Sequence, residues 1–156
     1  MNKTSPIGML LYPDGSIYVG QMTQFVKQGV GKVIEYSGGF KEGRWENEKL
    51  SGPNCRIYNH ESGDFYQGPV EEGKRNGRGR LYDADRDEVY DGEFENDKKQ
   101  GVGMIYKRNG QVMKGDFRNN CMEGPFENVY KADAKELKDV FDKAINHKGV
   151  FIAVQK

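Results

Sequence analysis

Glycine recurs in this chain on a fixed schedule, and that schedule limits what the chain can become. Anchors at Gly20, Gly43, Gly68, Gly92 and Gly115 lie 23, 25, 24 and 23 residues apart. Nine residues after each anchor stands another glycine: Gly29, Gly52, Gly77, Gly101 and Gly124. Five residues before each stands Gly15, Gly38, Gly63, Asp87 or Gly110. A fixed period with fixed internal offsets marks a repeat architecture, in which each unit completes its core against its neighbours.

Within a unit the pattern alternates. In residues 16–22, Tyr18, Gly20 and Met22 share one face, and Ile17, Val19 and Gln21 share the other. Asn47, Gly73, Asn96-Asp97 and Asn119-Asn120 then mark tight turns, because these residues tolerate positive φ. A second strand follows. Each unit therefore reads as a β-hairpin, and the hairpins join as an antiparallel meander. Residues 1–15 read as a half unit, in which Gly8-Met9-Leu10-Leu11-Tyr12 parallels Gly103-Met104-Ile105-Tyr106.

Glycine weakens a strand unless something uses the missing side chain. Gly20, Gly29, Gly31, Gly68, Gly77, Gly79, Gly92, Gly101, Gly103 and Gly115 share faces with aromatic residues. Each leaves a slot for a ring from a neighbouring strand. The expected core is a ribbon of Tyr18, Trp45, Tyr66, Tyr90, Phe94 and Phe117. Only 35% of the residues are apolar and 31% are charged, which suits a thin sheet wetted on one face.

The Tyr-x-Gly-x-Phe element followed by Gly-x-Gly-x-Leu/Ile-x-Tyr resembles the MORN repeat (membrane occupation and recognition nexus). The resemblance spans residues 6–130. Departures are Lys41 and Asn54 in the second repeat, Pro69-Val70 in the third, and Met113 and Phe126 in the fifth. It implies an elongated, twisted, mainly β array of about five hairpins. It also implies a binding module with no enzymatic activity. Small proteins of this kind resemble accessory subunits of large eukaryotic assemblies, with the cytoskeleton and ciliary axoneme favoured over another large or organellar complex, and hence a cytoplasmic location. Other proteins of the assembly are the expected partners.

Residues 131–156 read as a C-terminal cap. Asp133 and Glu136 form a capping box. Leu137, Val140, Phe141, Ala144 and Ile145 make one helical face apolar. His147-Lys148-Gly149 would stop that helix, and Val150 to Val154 reads as a short strand.

Two surfaces are candidates for binding. Opposite the glycines, Ile17, Val19, Val30, Ile34, Phe40 and Phe65 form an apolar patch, with Val102, Met104 and Val112 at the far end for the helix to cover. A helix of about 15 residues spans roughly 22 Å. Five hairpins span roughly 48 Å. One helix cannot cover both ends, and an exposed apolar patch marks a partner site. The alternative surface is a basic strip of Lys74, Arg75, Arg78 and Arg80, with Lys98, Lys99, Lys107 and Arg108 one repeat on. It would suit anionic phospholipid. Glu71, Glu72, Glu93 and Glu95 interleave with it, and the net charge is zero, so no nucleic-acid partner is expected.

No catalytic, cofactor or metal motif is legible. His60 and His147 have no ligand spacing. Gly29-x-Gly31-Lys32 lacks the earlier glycine of a phosphate loop. The run 83–87 imitates a calcium loop but places Glu88 at its sixth position and Phe94 at its twelfth. Cys55 and Cys121 sit at unlike offsets and are expected to be reduced thiols. The N-terminus shows no targeting pattern, and no apolar run would cross a bilayer.

Overall fold

The computed structural model describes residues 6–145. The expected strand at Val150 to Val154 and the helix stop at His147 lie outside them. The chain forms one open antiparallel sheet in meander order. Its strands are β1 (Ile7–Leu11), β2 (Ile17–Thr23), β3 (Val26–Ile34), β4 (Phe40–Glu46), β5 (Lys49–Leu50), β6 (Gly52–Tyr58) and β7 (Phe65–Glu71). Then come β8 (Lys74–Arg75), β9 (Gly77–Asp83), β10 (Glu88–Glu95), β11 (Lys98–Lys107), β12 (Gln111–Arg118) and β13 (Cys121–Lys131). Helix α1 (Ala134–Ala144) follows.

Glycines pair with glycines across the strands. Gly8 lies opposite Gly20, Gly20 opposite Gly31, and Gly31 opposite Gly43. Later, Gly79 faces Gly92, which faces Gly103, which faces Gly115. This lane without side chains holds the rings. A Cβ on Gly31 would lie 2.0 Å from the Tyr18 hydroxyl, and one on Gly79 would lie 2.4 Å from that of Tyr66. Each hydroxyl then donates to the carbonyl three residues on: Tyr18 to Gln21, Tyr66 to Pro69 at 2.7 Å, and Tyr90 to Glu93 at 2.9 Å. The rings meet edge to face, Tyr66 on Phe94 at 5.2 Å and Tyr90 on Phe117 at 5.0 Å. That geometry sets positive ring edges against negative ring faces.

The second repeat departs from the lane. A bulge between Gly52 and Cys55 shifts the register, so Cys55 stands opposite Gly68. The buried thiol, and not Asn54, occupies the missing glycine's place, 2.8 Å from where a Cβ on Gly43 would be.

At one side of the sheet the hairpin tips are two-residue turns with both φ positive, as at Asn47-Glu48, Asn96-Asp97 and Asn119-Asn120. This backbone matches the strand twist. Successive tips are stitched together. Asp97 N–H donates to the Arg75 carbonyl at 2.9 Å, and its carboxylate accepts from Arg75 N–H at 3.2 Å. Asn120 repeats both bonds with Lys99 at 3.0 and 2.8 Å.

Asp133 caps α1, accepting from Glu136 N–H at 2.8 Å. The reciprocal half of the box is replaced, because the Glu136 carboxylate accepts from the Tyr130 hydroxyl at 2.6 Å. The helix lies on the face opposite the glycines and buries Phe141 and Ala144 against Val89, with Tyr82 and Tyr106 alongside. Val102, expected beneath the helix, is half exposed, because α1 contacts β7, β9 and β10. Arg108 fixes the seat. Its guanidinium stacks on Phe141 at 3.8 Å and pairs with Asp87 at 3.0 Å.

Candidate binding faces

The face opposite the glycines divides into three zones. At the N-terminal end, alternation along β1 turns Leu10 toward the rings and leaves Ile7, Met9 and Leu11 outward, at 61%, 62% and 73% exposure. Met9 pairs with Val19, Leu11 with Ile17, and Ile17 with Ile34. Val30 and Ile34 are exposed, and Ile17 and Val19 are half-buried. The result is an apolar patch over β1–β3, with Lys32 between Val30 and Ile34 on its β3 side. Its largest exposed members come from the half repeat, whose outward positions follow from the same period-two alternation that places Ile17 and Val19.

Phe40 and Phe65 do not join this patch. Both are buried, at 6% and 0% exposure. With Tyr58 they form a second aromatic cluster, with centroids 5.7–5.9 Å apart. Arg56 lies over the Phe65 ring at 5.2 Å and pairs with Glu42 at 2.6 Å. Glu42 is 1% exposed. The middle zone is therefore a packed aromatic and ionic cluster, and the third zone is the helix seat.

The basic residues of repeat three are split between faces. Lys74 is exposed. Arg75 turns to the ring side, 4.9 Å over Phe94, and pairs with Asp97 at 2.6 Å. Arg78 and Arg80 lie on the opposite face and share Asp91, at 3.3 and 3.0 Å. Three of the four cations thus already have carboxylate partners. Arg75 belongs to a series that also includes Lys27, over Tyr12 at 4.6 Å, and Lys99, over Tyr90 at 5.0 Å. Each stands seven residues after an anchor glycine. Burial holds the Lys99 ammonium below the usual lysine range.

Burial also pushes the Tyr18 and Tyr90 hydroxyls up to about 12, raises that of Tyr66 further, and pushes the Cys55 thiol up. These shifts come from dry, packed surroundings. Among the described residues no group of His, Cys, Asp or Glu could hold a metal ion, and both cysteines are free. The acidic run 83–87 is engaged by Arg86 and Arg108. Among the described residues no helix is long and apolar enough to cross a membrane.

Tandem hairpins forming one open sheet, with a glycine lane under rings on one side and an exposed apolar patch on the other, define a β-repeat binding module. The chain carries MORN repeats: the family model for the MORN repeat matches residues 66–88 and 90–112. These are the third and fourth repeats, where the tyrosine and glycine positions are most regular. No curated protein matches the sequence. Among solved structures, the chain is similar to the SAS-4 (dCPAP) TCP domain of Drosophila melanogaster in complex with a proline-rich motif of Ana2 (dSTIL). That likeness has 11% identity, covers 79% of this chain and 84% of that one, and has a TM-score of 0.34. It is too distant to bear on function.

Proposed function

We propose that this chain is a non-enzymatic protein–protein scaffold, an accessory subunit of a large eukaryotic assembly. The carrying observation is the patch of Ile7, Met9, Leu11, Ile17, Val19, Val30 and Ile34 on the face opposite the glycines. Apolar surface gathered in this way is favourable to bury and marks a protein interface. The cytoskeleton or ciliary axoneme is the assembly favoured by the family resemblance, with a cytoplasmic, cytoskeleton-associated location. Anionic phospholipid is the weaker alternative, because Arg75, Arg78 and Arg80 already pair with Asp97 and Asp91.

The test is affinity capture from native lysate, washed at high salt, with wild type beside Met9→Asp/Ile34→Asp. A defined protein set retained by wild type and lost by the variant supports the scaffold. If nothing survives the salt wash, and the protein floats with anionic vesicles unless Arg78 and Arg80 are changed to Glu, the lipid reading replaces it. Salt screens the lipid contact far more than the apolar one.

A further inference from the structure

We infer that the apolar patch on β1–β3 seats an amphipathic α-helix of a partner protein, one whose apolar stripe is flanked by acidic side chains. The inference rests on the scaffold reading and adds the chemistry of the occupant.

Size is the first argument. Three strands about 4.8 Å apart and about five residues long give a footprint of roughly 14 by 17 Å. That area, roughly 240 Å², falls well short of the roughly 800 Å² per partner that a stable pair of proteins buries. A second copy docked through this patch alone would not be held. The footprint matches about 11 residues of helix, which is about 10 Å across. Helix α1 has 11 residues and already occupies the same face farther along, where Phe141 and Ala144 are buried against Val89. The two seats are built alike. Outward side chains of neighbouring strands supply an apolar floor, and a cation stands at the side. In the occupied seat that cation is Arg108, over Phe141 and paired with Asp87.

Charge is the second argument. The cations beside the open patch are Lys32, opposite Val19, and Arg44, opposite Val30. Lys32 stands over the Phe40 ring at 4.2 Å. Neither makes an ion pair among the described residues, and Glu42, the carboxylate in register with Lys32, is committed to Arg56 at 2.6 Å. Two cations without carboxylates at the rim of an apolar floor complement a helix with acidic flanks.

The experiment places a photo-crosslinking benzoylphenylalanine at Met9, Leu11 or Val30 of the full chain in native lysate, and maps the attached residues. The expected result is one partner segment with attachment sites spaced by three, four and seven residues. Lys32→Glu/Arg44→Glu should lower the crosslink yield about tenfold, as for the loss of about 1.4 kcal/mol of binding. Attachment at alternate residues would mean a strand occupant. It would overturn this inference while leaving the scaffold reading intact, as would attachment to a second copy of the chain. An unchanged yield in the charge-reversed variant overturns the acidic flank. No protein attached at any of the three positions overturns both readings.

Discussion

Tyr90 lies so close over Gly103 that a Cβ there would be 2.3 Å from the ring. The contact crosses the β10–β11 pair, where Gly92 faces Gly103. Gly103 is needed for space, whereas Gly73 is needed for its backbone, with φ +83° and nothing within 4 Å of an added Cβ.

The two glycines should respond differently to substitution. Gly103→Ala must displace a fully packed ring and should cost roughly 2 kcal/mol or more. Gly73→Ala should cost roughly 1 kcal/mol through strain. Asn tolerates positive φ, so Gly73→Asn should recover most of that loss, while Gly103→Asn should be worse than Gly103→Ala. Urea unfolding of the four variants measures this. Equal losses at the two positions would refute the slot.

The first tip should be strained. Gln24 and Phe25 have φ of 51° and 66°, where later repeats use Asn, Asp or Gly at one or both positions, and Phe25 is 83% exposed. A bulky residue in this region is unfavourable, and an exposed ring gains little by it. Gln24→Asn/Phe25→Gly should stabilise the chain by about 1 kcal/mol. Thermal melting should rise by about 2–4 °C.

The Glu42–Arg56 pair should show strong coupling. Glu42 is fully buried, and its Oε2 has no hydrogen-bond partner among the described residues. Arg56→Met leaves an uncompensated buried carboxylate and should cost roughly 3 kcal/mol. Glu42→Leu/Arg56→Met should recover a large part of that, since removing both charges also removes their desolvation penalty. A double-mutant cycle on urea midpoints reads the coupling. Additive single losses would argue against the pair.

Stability should fall in strong alkali through the ring ribbon. Tyr18 and Tyr90 titrate near 12 in the folded chain against an ordinary value of 10. Between these values the unfolded chain has released protons that the folded chain retains, so stability declines as pH rises. Below pH 10 the contribution is fully present. Tyr90→Phe should be less stable at neutral pH, because Glu93 loses its donor, yet show a shallower decline above pH 10. Urea midpoints from pH 8 to 12 test the sign.

The repeat, the glycine lane and the ring ribbon were legible because each is local and periodic. Tyr18 and Gly31 are tied by hairpin geometry alone. Alternation puts Phe40 and Phe65 on the correct face, but it does not reveal that the face is closed over them. Their burial involves Tyr58, Arg56 and Glu42, whose convergence depends on strand order across repeats. The position of Cys55 was hidden by a bulge, which alters register without altering composition. The basic strip splits by the same alternation that makes the strands. Arg75 and Arg78 stand three residues apart, so Arg75 falls on the ring face while Arg78 and Arg80 fall on the other. The seat of α1 could not be read from its apolar stripe, which identifies the buried side of a helix and not the strands beneath it.

The stitched tips have a mechanical consequence. Hydrogen bonds between strands run perpendicular to them, and so along the length of the array. A pull from end to end loads these rungs in series, and the weakest opens first, as in a zipper. The bonds from Asp97 to Arg75 and from Asn120 to Lys99 add a second fastening at each step. A tensioned array would therefore lengthen in increments of one hairpin, giving whatever it tethers a graded, reclosable extension before the chain is drawn straight.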